Sequence, residues 1–201
     1  MHRNVDAYPG SHERIHRRLQ EDGLLGVPFS HVREGEGGRM ELQLSGTLPD
    51  DWCLRLANGL SASHVGLLNG YARRVQGEVW ICQLEVQHAS GSGRTPDFLD
   101  LATRGTLRRR REEPPILDYR LGAARDELLD LRVVAYDAVG LLAAVLHRVR
   151  AAGLAIDEVF LATEEEAATH RLVIRRRDGA PPRSIDRRAI AASLDAMVRS
   201  R

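Results

Sequence analysis

No lysine occurs anywhere in the 201 residues; all 29 basic side chains are arginine. Without an ε-amine the chain can hold no Schiff-base nucleophile, no pyridoxal anchor, no phosphate-loop lysine and no protein-kinase ATP lysine, because each of those mechanisms needs that group. Cysteine is scarce. Cys53 and Cys82 lie far apart in sequence and form neither a C-x-x-C pair nor a disulfide framework, so they read as reduced core thiols of a cytoplasmic protein. Aromatic residues make up only 4% of the chain, and none falls in 171–201, where the arginines are densest. A nucleic-acid surface would interleave stacking rings with its basic side chains. No apolar run reaches 18 residues, and Met1 is followed by His2, Arg3 and Asn4, so neither a membrane span nor a signal peptide is indicated. There is no excess of one charge either, with 29 basic residues against 28 acidic. Any electrostatic partner has to be met locally. G-x-S-x-G, a phosphate-cradling glycine loop and paired carboxylates are all missing, and His64, His88, His147 and His170 are scattered without ligand spacing. No catalytic residue, metal site or cofactor is expected.

What is present is periodic. Met40, Leu42 and Leu44 alternate with polar residues as one buried face of a strand, and Trp52, Leu56 and Leu60 then recur at helical spacing after Pro49–Asp51. Two apolar runs flank Gln76–Gly77, and in the second Trp80, Cys82, Leu84 and Val86 share a face, which predicts a hairpin with one dry side. Thr95–Asp97 can cap a short helix carrying Phe98, Leu101 and Ala102, and Ile116–Leu121 reads as a closing strand. The order strand, helix, strand, strand, helix begins again at Leu128. Leu129, Leu131, Val133 and Ala135 alternate; Leu142, Val145, Leu146 and Val149 make a helical stripe ended by Gly153; a hairpin turns at Glu164–Glu166; and Ile190, Leu194 and Val198 line a last helix. These patterns predict an α+β chain of two tandem ferredoxin-like βαββαβ units, with antiparallel sheets and helices on one face. The expected boundaries are an N-terminal arm over 1–38, a first unit over 39–122 and a second over 127–201. Units this small leave an exposed sheet edge and face, so they are expected to pack together or dimerise.

The run Asp130-Leu-Arg-Val-Val-Ala-Tyr-Asp-Ala-Val-Gly-Leu-Leu, then Gly153-Leu-Ala-Ile-Asp-Glu-Val, and Asp178-Gly179 after a strand, resembles the ACT domain. The nearest likeness is to the C-terminal ACT repeats of nitrogen-regulatory uridylyltransferases, in which the first strand is followed by Asp, a basic residue, Pro and Gly-Leu-Leu. Asp137, Gly140, Leu141 and Leu142 fit that pattern, while Ala138 and Val139 stand where the family has the basic residue and the proline. The resemblance covers 128–198 by sequence and 40–121 by topology alone. It implies a regulatory module without an active site. A small effector, an amino acid above all, would sit at the interface of paired units against Asp137, Ala138, Val139, Gly140, Leu141, Ile156 and Asp157. General chemistry gives the first of these segments a reason to bind, since Gly140 allows close approach and the amides opening the next helix suit a carboxylate. Equally, Gly140 can serve packing and Asp137 can serve as a helix cap.

Two further readings remain open. Oligomerisation through the sheets, most simply as a dimer, would make the chain a scaffold with no small ligand. His12-Glu13-Arg14-Ile15-His16 is a literal H-E-x-x-H string, which on a helix would place two imidazoles on zinc with Glu13 as general base, and so carries a hydrolase alternative. Arg108–Arg111 and the seven arginines between Arg171 and Arg188 read as solvated faces that leave room for an acidic protein partner, without nucleic acid or membrane.

Overall fold

The computed structural model describes residues 26–89, 94–108, 112–124 and 128–198. The H-E-x-x-H string and Arg109–Arg111 lie outside them. Eight strands and four helices follow in the order β1 (Phe29–Glu34), β2 (Arg39–Thr47), α1 (Trp52–Ala62), β3 (Val65–Gln76), β4 (Val79–His88), α2 (Phe98–Arg104), β5 (Asp118–Ala123), β6 (Leu129–Tyr136), α3 (Leu141–Ala151), β7 (Leu154–Glu164), β8 (Ala167–Arg176) and α4 (Ser184–Asp195). All eight strands form one antiparallel sheet, ordered β1-β2-β4-β3-β7-β8-β6-β5. The expected periodicities hold except at the end of the last helix, which stops at Asp195 so that Val198 lies beyond it and bridges Ile116. Met40, Leu42 and Leu44 from β2, Leu129, Leu131, Val133 and Ala135 from β6, and the apolar stripes of all four helices join a single buried cluster. One face of the sheet therefore carries all four α-helices of the described residues.

The two halves repeat each other as ββαββα, not as βαββαβ. Ile116–Leu121 does not close the first unit: Asp118–Ala123 pairs with β6 of the second half, Tyr119 opposite Val133 and Leu121 opposite Leu131. Phe29–Glu34, which falls within the expected N-terminal arm, pairs with β2 and takes the corresponding place in the first half. The reason is proximity along the chain. β1 and β5 are each joined to the following strand by a four- or five-residue connection, and a short loop costs less entropy to close than a return across a whole unit. The closing strand of each unit thus precedes it, and the boundaries expected at 38 and 122 cut through paired hairpins.

Register makes the repeat quantitative. In the first half a bulge falls between Leu67 and Asn69, directly after the pair Leu67–Val86; in the second it falls between Ile156 and Glu158, directly after Ile156–Ile174. β3 and β7 are therefore equivalent strands, and they pair with each other: Gly70 opposite Leu161, Tyr71 opposite Phe160, Ala72 opposite Val159 and Arg73 opposite Glu158. Tyr71 and Phe160 occupy the same position in the two halves, so a local two-fold axis passes between them. Gly70 is required there. Its φ is +142°, and a Cβ on it would lie 2.3 Å from the Gln83 carbonyl oxygen.

Candidate functional site

α1 and α3 lie side by side over the β3–β7 seam, and because the halves are related by a two-fold axis, each end of this helix pair is a turn from one half facing the end of a helix from the other. Two equivalent recesses result. One, of about 20 Å³, is lined by Asp137, Ala138, Val139 and Gly140 from the β6–α3 turn, by Leu141–Ala143, by Ala57, Leu60 and Ser61 from the end of α1, and by Val65, Leu67 and His170. The other, also of about 20 Å³, is lined by Asp50 and Asp51 before α1, Cys53 and Leu54 within it, Leu146, Val149 and Arg150 from the end of α3, Leu154–Ile156 of β7, and Arg177.

The first recess is built around an uncapped helix start. The Asp137 amide donates to the Glu166 carbonyl (2.7 Å), and the Leu141 amide donates back to Ala138 (3.1 Å), which closes a tight turn. Gly140 occupies the N-cap with φ +96°, a left-handed value that an L-residue adopts only under strain, and it offers no side chain to the helix amides. The amides of the first turn have no intrahelical acceptor and carry the positive end of the dipole. Asp137 forms no ion pair with a described residue, and partial burial pushes its carboxyl above the ordinary aspartate value. Beneath them His170 is 4% exposed, its Nδ1 has no hydrogen-bond partner, and burial lowers its pKa to about 4. The ring is therefore neutral at pH 7. No arginine lines this recess.

The second recess is lined by charged residues, Asp50, Asp51, Arg150 and Arg177, and an ion-pair network adjoins it. Arg175 of β8 pairs with Asp50 and approaches Asp157 (3.8 Å), while Arg74 of β3 binds Asp157 at 2.6 Å. Asp51, which stands where Gly140 stands in the other half, is held by Arg55 at 2.9 Å. Of the residues singled out from sequence, Asp137, Ala138, Val139, Gly140 and Leu141 come together around the first recess. Ile156 lines the second, and Asp157 belongs to the ion-pair network, so those two are at the opposite end of the helix pair.

Sequence reasoning missed His170 and the α1–β3 side of the first recess. The signal for His170 was available: it falls in the dry register of β8 with Ala168, Leu172 and Ile174, a place where a titratable side chain needs a reason. Val65 and Leu67 carried none, since only the seam brings them there. The arginines of the tail are largely spoken for: Arg171 pairs with Asp130 and lies over the Phe160 ring at 5.5 Å, Arg176 pairs with Asp178 and Asp186, and Arg183 pairs with Asp186. Among the described residues no three His, Cys, Asp or Glu side chains cluster as metal ligands, and no helix is long and apolar enough to cross a membrane.

No family model matches the chain, and no curated protein matches it. Among solved structures it is similar to the crystal structure of an aspartate kinase from Synechocystis, with 14% identity and a TM-score of 0.47, over 79% of this chain and 26% of that one. The chain thus spans about a quarter of that protein's length. A likeness at this level does not bear on what this chain does.

Proposed function

We propose that the chain is a non-catalytic regulatory module, an ACT-like pair folded within one polypeptide, that senses an amino acid in the recess at the start of α3. The observation that carries this reading is the contrast between two equivalent recesses. One is lined by Asp50, Asp51, Arg150 and Arg177, with Asp50 paired to Arg175 and Asp51 to Arg55; the other has no arginine in its lining and presents Gly140 at the helix start, the Asp137 carboxylate with no ion pair among the described residues, and an apolar wall. An α-amino acid meets both polar groups at once. Its carboxylate takes the first-turn amides of α3, and its ammonium faces Asp137, whose charge is favoured again once a cation stands beside it. One effector per chain is the expected stoichiometry.

Regulation follows from where the recess lies. At about 20 Å³ the closed recess has room for a water molecule, so an amino acid enters only where α1 and α3 move apart. Because the walls come from both halves, the occupant binds the opened packing and shifts the population toward it, by no more than its difference in affinity for the two packings. The test is thermal unfolding against the standard amino acids. A ligand at 100 times its Kd adds roughly 2.7 kcal/mol of stability, and for a chain of this length each kcal/mol raises Tm by about 2–4 °C. One amino acid, or a small set, raises Tm, and Gly140→Asp removes the response by placing a carboxylate against the helix start. If no amino acid shifts Tm, the reading fails. The oligomerisation scaffold then becomes the better account, because β1 and β5 each border the sheet with one edge unpaired among the described strands.

A further inference from the structure

His170 lies in the inward register of β8, between Val133 of β6 and Leu161 of β7, and it lines the same recess as Asp137 and Gly140. Nothing in the fold demands a histidine there. The two hairpins superpose by register, Leu172 matching Leu84 and Ile174 matching Val86, which puts Cys82 at the position of His170. The first half buries that position with a small thiol, 1% exposed. The second half buries an imidazole whose Nδ1 is unpaired, and a buried polar nitrogen is ordinarily satisfied. His170 lines the recess, so an occupant there is in place to supply the missing partner.

We propose that His170 selects the effector, its Nδ1 hydrogen-bonding the side chain of a small amino acid that carries a hydroxyl or carboxamide. This rests on the reading of the recess as an amino-acid site. The remaining classes are disfavoured by what lines it. An acidic side chain would find no cation, a basic one would be desolvated against Leu60, Val65 and Leu67, and an apolar one would leave the imidazole nitrogen unpaired. Hydroxyl and carboxamide groups can donate or accept, so either tautomer of the neutral ring is served. A site built to hydrogen-bond a polar group rejects the isostere that lacks it far more strongly than an apolar pocket rejects an added methylene.

Isothermal titration of the full chain at pH 7.5 with isosteric pairs, threonine against valine and asparagine against leucine, tests this directly. The polar member of at least one pair should bind ten-fold or more tighter than its isostere. His170→Leu should abolish or reverse that preference at unchanged far-UV circular dichroism, and His170→Asn, which keeps a hydrogen-bonding group, should retain part of it. Equal binding of the isosteres by the wild-type chain overturns the role of His170 and leaves the amino-acid site standing, provided Gly140→Asp abolishes that binding. A polar preference that persists in His170→Leu overturns that role in the same way. Binding of no member of any pair overturns the role of His170, and overturns the amino-acid site as well where none of the standard amino acids shifts Tm.

Discussion

His170 couples the recess to the stability of the whole chain through its protonation. Its folded pKa of about 4 lies below the ordinary histidine value, so the folded state binds fewer protons than the unfolded one. Folding is unaffected by this group above about pH 6.5, where both states are neutral, and it is progressively disfavoured as pH falls from there toward 4. A difference of that size between the two states corresponds to roughly 3 kcal/mol. Urea unfolding at a series of pH values should therefore show a loss of about that size between pH 6.5 and 4, over and above the loss in His170→Leu. Asp137, whose carboxyl is raised by burial, works with the opposite sign and makes folding more favourable as it protonates. The comparison of the two proteins isolates the histidine, since Asp137 is common to both. Parallel pH profiles for wild type and His170→Leu would mean that the imidazole is charged and satisfied in the fold, contrary to its burial.

At the scale of elements, the seam between β3 and β7 is only four residue pairs long, and charge pairs reinforce it at one end. Arg73 meets Glu158 (3.3 Å), Arg74 meets Asp157, and Arg175 reaches from β8 back to Asp50 before α1. Arg175 is nearly buried, while Asp50 is about a third exposed, which places their pairing between a surface ion pair of under 1 kcal/mol and a fully buried one worth 3–5 on removal of a partner. Arg175→Met keeps the aliphatic stem and deletes the charge; a loss of about 2 kcal/mol, or roughly 4–8 °C in Tm, is expected in differential scanning calorimetry. No loss would mean that packing alone holds the seam. Elements of this kind show how far the sequence could be read. Single helices and hairpins were legible because burial imposes its period on Trp52, Leu56 and Leu60 or on Trp80, Cys82 and Leu84. Strand partners were not, because β5 looks the same whether it closes the unit before it or opens the one after it. The site divides the same way: the turn at Asp137–Leu141 shows in local sequence, whereas Leu60, Leu67 and His170 reach it only through sheet order.

The described residues form one sheet and one buried cluster that runs through both halves without interruption, from Leu42 and Trp52 to Leu131, Leu172 and Ile190. Cutting it into halves would expose the inner sides of α1 and α3 and the edges of β3 and β7 together. Each half of some 90 residues would lose the part of its core that it shares with the other. Both tryptophans lie in the first half, Trp52 on α1 and Trp80 on β4, with ring centroids 5.3 Å apart in an edge-to-face contact. Their fluorescence reports the first half alone, while far-UV circular dichroism reports both. The two signals should fall together with denaturant, at one midpoint, as required of a single cooperative unit. A circular dichroism transition that precedes the fluorescence change would show the second half melting by itself. The distinction matters for regulation. An effector seated between α1 and α3 can transmit its binding energy across the seam only if the two halves share one equilibrium, so coincident transitions are the physical condition for the recess to act as a sensor rather than as a local binding site.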